Sequence, residues 1–316
     1  MMEMTKKIDA HVHILPPHML GRQDPRFRIT REGFGRVRTS SGYELQLLPP
    51  YFEKSAFSAQ ALLATMDFYG VEKAIIMQAL CFTMNEEVAD AVALAPDRLT
   101  GAMVVEPRPG WDEEMRRWHQ RGLRVLKFEM SAGMGFSSPK AYPQMQFNDP
   151  VVLEMFALAQ QLGITVTVDP SRIGGHGYQP AQLRQAAEAF PDLHLVVCHL
   201  GYPAPEMSSQ ERAQWEQMTE LASLPNVWFD VSALPALFAK QTYPWKQAVD
   251  LAVDFVRRFG SEKVIWGTDI PGTLMNATYP QMIDLFENCA EWTQTEKENL
   301  FWKNAQDAYR LSQNER

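Results

Sequence analysis

The sequence predicts a single-domain (β/α)8 barrel (TIM barrel) of the α/β class, and three observations carry the prediction. From residue 58 onward amphipathic helical stretches alternate with short apolar runs. Counting the run near the start there are eight such runs, the number that closes a parallel barrel. The runs are apolar along their length, as strands covered on both faces are, and none is followed by Gly-x-Gly-x-x-Gly, which disfavours an open dinucleotide-binding sheet. One domain over residues 1–316 follows, with residues 16–57 as an insertion placed over the barrel mouth.

The first strand lies in Ile8-Asp9-Ala10-His11-Val12-His13. Alternation along an extended strand puts Asp9, His11 and His13 on one face and Ile8, Ala10, Val12 and Ile14 on the other. Two imidazoles two residues apart can offer two nitrogens to one cation. Pro16 to Phe57 is rich in Pro, Gly and Arg, and contains Arg22, Arg26, Arg28, Arg31, Arg36 and Arg38. Alternation in Phe27 to Ile29 and Tyr43 to Leu47, with Gly33 and Gly42 between, predicts a β-hairpin flap. The run of guanidinium groups reads either as a solvated basic loop or as a clamp in which one or two arginines hold a substrate carboxylate.

Helix Ser58 to Tyr69 stops at Gly70 and leads into strand two, Lys73 to Gln78. A helix over Asn85 to Leu94 precedes strand three, Leu99 to Val105, and Asp112 to Gln120 precedes strand four, Leu123 to Glu129. Helix Pro150 to Leu162 leads to strand five, Gly163 to Asp169, and helix Pro180 to Phe190 to strand six, His194 to His199. Strand seven is Asn226 to Val231 and strand eight Val264 to Asp269. Thr295 and Glu298 form a capping box for a closing helix whose apolar face is Leu300, Phe301, Ala305, Ala308 and Leu311.

Composition narrows the function classes. A formal charge of −8 argues against a nucleic-acid or anionic-membrane partner. Cys81, Cys198 and Cys289 are far apart in sequence, so neither a thiolate zinc knuckle nor a disulfide framework is indicated. The polar start and the lack of a long apolar run predict a cytoplasmic protein.

In a parallel barrel the active site lies at the C-terminal ends of the strands. The polar residues there are His11 and His13, Lys127 and Glu129, Asp169, His199 and Asp269. Five strands ending in this way predict one shared polar site.

At this point the chain resembles the amidohydrolase superfamily, and within it the amidohydrolase-related (amidohydrolase-2) group that includes the aminocarboxymuconate-semialdehyde decarboxylase type. The resemblance rests on Ile8-Asp9-Ala10-His11-Val12-His13, Met66 to Ala74, Pro96-Asp97-Arg98, Cys198-His199-Leu200-Gly201, Asn226 to Ser232, Trp266-Gly267-Thr268-Asp269-Ile270-Pro271 and Asn304-Ala305. It implies that His11 and His13 are metal ligands, that Asp269 is a ligand or proton acceptor, and that His199 polarises water or substrate. It also implies a homo-oligomer, a dimer. The family usually has a metal-binding histidine at the end of strand five, where this chain has Asp169. Asp169 either joins His11, His13 and Asp269 around one divalent ion, zinc first and manganese second, or leaves the metal weakly held or absent. Lys127 reads as a pairing charge for Glu129, Asp169 or substrate.

The leading functional expectation is metal-assisted hydrolysis of a lactone, amide or ester-like bond in a small carboxylic acid, with Asp269 and His199 catalytic. Lys127, Glu129, Arg172 and His176 are the expected substrate-binding residues. Non-oxidative decarboxylation of an aromatic or muconate-like acid is the alternative, followed by a metal-free lactonase and by a catalytically silent binding barrel.

Overall fold

Eight parallel strands form one sheet in the computed structural model, which describes residues 5–17, 25–27, 29–39, 42, 44–133 and 135–311. In spatial order they are β1 (Ile8–His13), β5 (Lys73–Met77), β6 (Leu99–Met103), β7 (Val125–Glu129), β8 (Thr165–Asp169), β9 (Leu195–Val197), β10 (Val227–Asp230) and β11 (Val264–Ile265). Sequential order equals spatial order, as a barrel requires. The sheet closes where Ala10 N donates to Trp266 O, Asp269 N to His11 O and His13 N to Ile270 O, at 3.1, 2.7 and 2.7 Å. Helices α1 (Ala59–Tyr69), α2 (Asn85–Leu94), α3 (Trp111–Gln120), α4 (Pro150–Leu162), α5 (Pro180–Ala189), α6 (Ser209–Thr219), the short α7 (Leu234–Leu237), α8 (Lys246–Phe259) and α9 (Tyr279–Glu287) fall between and after the strands. The predicted barrel is therefore present.

The core has two layers. Ile8, Ala10, Ile75, Met77, Ala102, Val125, Val196 and Ile265 pack together inside the barrel, with Ala305, Ala308 and Tyr309 from the C-terminal helix beneath them. Thr165 Oγ1 donates to Ala308 O at 2.7 Å, and Thr167 Oγ1 lies 3.2 Å from the Tyr309 hydroxyl, so the helix closes the barrel floor. Outward-facing strand residues such as Val12, Ile76 and Val166 join the larger helix-facing cluster.

Three expectations are corrected. The ladder of β1 on β5 shifts between Asp9 and Val12, and this bulge breaks the strict alternation. Ile8 and Ala10 face inward and Val12 outward, so Asp9 does not share the face of His11 and His13. Its carboxylate instead accepts from Thr268 N (2.9 Å), Thr268 Oγ1 (2.6 Å) and Tyr279 OH (2.8 Å). Burial pushes its pKa up to about 7 against those hydrogen bonds.

The flap is a three-stranded antiparallel sheet rather than a hairpin: β2 (Ile29–Gly33), β3 (Arg36–Thr39) and β4 (Glu44–Gln46). Ile29 and Val37 are buried on one face, while Arg38 bridges Glu32 and Glu44 on the other. Gly35 is obligatory, since its φ is +75° and a Cβ there would stand 2.1 Å from Leu48 O. Phe27 lies in a short 3₁₀ turn, and Arg22, Arg28 and Tyr43 are outside the described residues.

The closing capping box is Thr293 with Glu296, two residues before the expected pair. It begins α10 (Gln294–Glu298), which continues through a π-helical turn into α11 (Asn304–Ala308). The three cysteines are buried and unpaired, and no helix among the described residues is long and apolar enough to cross a membrane.

Candidate active site

On the side of the mouth built by β1, β10 and β11, His11, His13 and Asp269 converge. His13 Nε2 lies 3.0 Å and His11 Nε2 3.7 Å from Asp269 Oδ1. Burial, with the Lys127 charge nearby, holds the His11 pKa down at about 4 even though Asp230 opposes the shift. Asp230 is fully buried and its pKa is depressed: burial alone would raise it, and the His11 and His199 interactions outweigh that. A neutral His11 therefore donates from Nδ1 to Asp230 Oδ2 at 3.0 Å, which leaves the Nε2 lone pair for the site. Gly267 makes room behind it, because a Cβ there would approach His11 Cβ to 2.9 Å. Asp269 is held ionised: its enclosure opposes this, and His13, His11 and His199 outweigh the enclosure.

These three side chains fit a divalent ion. Their ligand atoms all lie within 4.8 Å of one another. Metal–ligand bonds of about 2.0–2.2 Å in a tetrahedral site put donors about 3.4 Å apart, the range of the Asp269 separations. A second donor trio, His11, Cys198 and His199, meets the same distance limit. There Lys127 Nζ donates to Cys198 Sγ at 3.1 Å, so an ammonium already faces the sulfur and disfavours a cation.

On the opposite side, β7 and β8 and the turn after β9 build a charge network. In register, Lys127 lies beside Thr167 and Glu129 beside Asp169, so Lys127 sits one layer deeper. Asp169 accepts from Ser171 N at 3.0 Å and from Tyr202 OH at 3.2 Å, and its Oδ2 is 3.5 Å from His199 Nε2. Burial would raise the Asp169 pKa and lower that of His199, and their mutual contact reverses both. Asp169 is depressed with further help from Lys127, and His199 is raised to about 9 with further help from Asp230 and Asp269. Lys127, only 2 % exposed, is held charged: burial opposes this, and Cys198, Asp169 and Glu129 outweigh it. Burial and the neighbouring Asp169 charge push Glu129 up to about 7 despite its hydrogen bond from Ser131.

Asp230 ties the two sides together. Besides His11, it accepts from His199 N at 2.9 Å and from Ser232 N at 3.0 Å. Ser232 Oγ donates to it and receives the His199 Nδ1 contact at 2.8 Å. Backbone strain gathers at the same place: Ser171, His199, Leu200, Tyr202 and Asp269 all have φ between +51° and +71°.

The predicted residues thus divide. His11, His13 and Asp269 come together as one donor group; Asp169 does not join it and is paired with His199, Tyr202 and Ser171. Lys127, Glu129 and His199 lie around Asp169. Arg172 is exposed, and its guanidinium makes no hydrogen bond or ion pair among the described residues, while its carbonyl accepts from Gly175 N at 3.0 Å. His176, in the same loop, contacts Met145 O through Nε2 at 3.2 Å. Of the insertion arginines, Arg26 pairs with Glu106 at 2.7 Å and Arg38 with Glu32 and Glu44. Asp230, Ser232, Tyr202 and Gly267 were not singled out from the sequence. Asp230 carries the strand-end signal used for the others, because it is the last residue of β10.

A model of the family described as amidohydrolase matches residues 8–311. No curated protein sequence matches the chain. Among solved structures it is similar to a probable 2-pyrone-4,6-dicarboxylic acid hydrolase from Acinetobacter baumannii with citric acid bound, at 17% identity and TM-score 0.71, covering 97% of this chain and all of that one. It is also similar to a zinc-bound amidohydrolase from Burkholderia multivorans (17% identity, TM-score 0.68, covering 96% and 99%). A third is a 2,6-dihydroxybenzoate decarboxylase from Rhizobium (14% identity, TM-score 0.63, covering 98% and all).

Proposed function

The chain belongs to the amidohydrolase family of enzymes, and from that premise we propose that it is a metal-dependent hydrolase of a lactone, amide or ester-like bond in a small carboxylated substrate. The observation that carries this reading is the convergence of His11 Nε2, His13 Nε2 and the ionised Asp269 at 3.0–3.7 Å, with Asp230 fixing the His11 tautomer. His11, His13 and Asp269 would hold a divalent ion, which when bound would supply Lewis acidity toward the scissile carbonyl and lower the pKa of water. Zinc is the first candidate, as in the Burkholderia neighbour, and manganese the second.

Asp269 is a base on geometry and charge: it borders the cavity at the mouth and is ionised at neutral pH, so it accepts the proton of the attacking water. His199, kept as an imidazolium by Asp169, lends positive charge to the carbonyl oxygen as negative charge develops there. Arg172 and His176, on the loop after β8, are the groups we assign to a substrate carboxylate, while Lys127 keeps Asp169 and Glu129 charge-compensated below. The 2-pyrone-4,6-dicarboxylic acid in the name of the Acinetobacter neighbour belongs to that class.

One observation favours a second reading, decarboxylation of an aromatic or muconate-like acid. Glu129 is poised near neutral pH and can deliver a proton to a carbanion left by departing CO2. The test is a panel of γ- and δ-lactones, carboxylated amides and hydroxylated benzoates, followed by acid titration and CO2 detection with and without a chelator. Hydrolysis predicts acid release from lactones or ammonia release from amides, without CO2, abolished by the chelator and restored by zinc or manganese. Release of CO2 moves the assignment to decarboxylation, and hydrolysis that survives chelation removes the metal from it.

A further inference from the structure

A cavity of about 180 Å³ opens directly onto His13 and Asp269. Its walls are Leu15, Leu47, Leu48, Phe82, Met84 and Pro271. The one amide among its lining residues is spent, since Gln78 Nε2 donates to Asn85 Oδ1 at 2.8 Å and Ala102 O at 2.5 Å, and Gln78 Oε1 accepts from Met84 N at 2.6 Å. No lysine or arginine among the described residues lines it. The walls of the space beside His13 and Asp269 are therefore apolar and add no positive charge of their own.

We propose that this cavity receives one uncharged six-membered ring of the substrate, attached next to the bond that is broken, and that the ring bears no carboxylate on this side. The inference rests on the hydrolase reading of His13 and Asp269 and adds the substrate class. Size supports it, because an apolar cavity of about 150 Å³ takes up benzene. The apolar walls support it too: a carboxylate turned toward Leu15, Leu48 or Phe82, away from His13 and Asp269, would be stripped of water with no lysine or arginine to meet it. Leu47 and Leu48 belong to the segment leaving the three-stranded sheet, so the insertion supplies part of the selectivity.

The experiment is titration calorimetry of the full-length protein with acetamide, benzamide and 4-carboxybenzamide. Burial of a ring the size of a Phe side chain predicts benzamide binding about ten- to a hundredfold more tightly than acetamide. 4-Carboxybenzamide is expected to bind at least about tenfold more weakly than benzamide, the cost of an unpaired buried charge. Leu48→Ala and Phe82→Leu should each lower benzamide affinity about three- to tenfold and leave acetamide unchanged. Benzamide no tighter than acetamide, including no binding by either, overturns the inference, as does 4-carboxybenzamide binding as tightly as benzamide. Asp269→Asn separates the two readings. Weaker benzamide binding supports both, whereas an unchanged ring advantage with unchanged affinity supports the ring subsite and removes Asp269 from the reacting centre.

Discussion

The two sides of the barrel mouth solve the problem of buried charge in opposite ways. On the β1–β11 side a neutral His11 turns its Nε2 lone pair toward an ionised Asp269, whose Oδ1 also lies 3.0 Å from His13 Nε2. On the β7–β9 side Asp169, His199 and Lys127 neutralise one another, and Tyr202 and Ser171 complete the carboxylate. The first arrangement could take up a cation; the second already holds two. Asp169, at the end of the fifth barrel strand, thus lies with His199, Tyr202 and Ser171 and not in the trio of His11, His13 and Asp269. It creates a partner for His199 and keeps that imidazole charged.

The largest expected effect breaks the comparison if it fails. Asp269→Asn should remove both the metal and about a thousandfold of activity, within the range for loss of a positioned proton acceptor. Asp169→Asn should leave about one equivalent of metal in place, as elemental analysis of the two variants would record. Metal lost from both would place Asp169 in the donor set after all.

Lys127→Met tests the charge-compensated side alone. It leaves Asp169 and Glu129 buried without their ammonium, and removal of one partner from a buried ionic group costs about 3–5 kcal/mol. Urea unfolding at neutral pH measures it. A loss below about 1 kcal/mol would mean that His199 alone balances Asp169.

How much of this was legible in the sequence follows from which signals are local. The eight strands were readable because each is a short apolar run set off from helical stretches, five of them with polar residues at or just past their ends, and α2 and α4 start and stop where helical spacing puts them. The bulge in β1 was not, since nothing in Asp9-Ala10-His11 marks an inserted residue, and so Asp9 was placed on the wrong face. β3 escaped because Arg-Val-Arg-Thr offers one apolar residue in four and is defined by its pairing with β2 and β4. Thr293-Gln294-Thr295-Glu296-Lys297-Glu298 contains two overlapping capping-box frames, and tertiary packing chose the first. Among site residues, His11, His13 and Asp269 were found together because they end the two strands that close the barrel. The pairing of Asp169 with His199 depends on side-chain reach between β8 and the turn after β9, which spacing does not encode.

The pH dependence of stability sharpens the contrast further, in chelator-treated protein. His199 has a folded pKa of about 9, above its ordinary value, so its contribution is complete below about pH 6.5 and is lost as pH rises through 9. Asp169 is depressed, so its contribution is present above about pH 4 and lost only in acid. Asp9 and Glu129 titrate the other way: each destabilises progressively from about pH 4 to its folded value of about 7 and is flat above it. Across pH 7 to 9 His199 is therefore the main titrating group, with the buried cysteines, whose pKa values are raised, adding a smaller loss near pH 9. Thermal melts should fall across that interval by the equivalent of up to about 3 kcal/mol, and Asp169→Asn should flatten the slope. An equal slope in the variant would assign the charge on His199 to Asp230 instead.

The smallest effect concerns one hydroxyl. Tyr202 donates to Asp169 Oδ2, the oxygen that also faces His199, from a backbone held at φ +63°. Tyr202→Phe removes a hydrogen bond to a charged acceptor and keeps the ring that packs edge-on against His199 at 5.1 Å. The expected loss is about 1–2 kcal/mol of stability, with metal content unchanged, because the contribution belongs wholly to the charge-compensated side. With Asp169 less well satisfied, its hold on His199 should strengthen rather than weaken, so the fall in melting temperature between pH 7 and 9 should steepen slightly in the variant. A variant that lost metal, or whose slope flattened, would show that Tyr202 serves both sides, and the division between them would have to be redrawn through that hydroxyl.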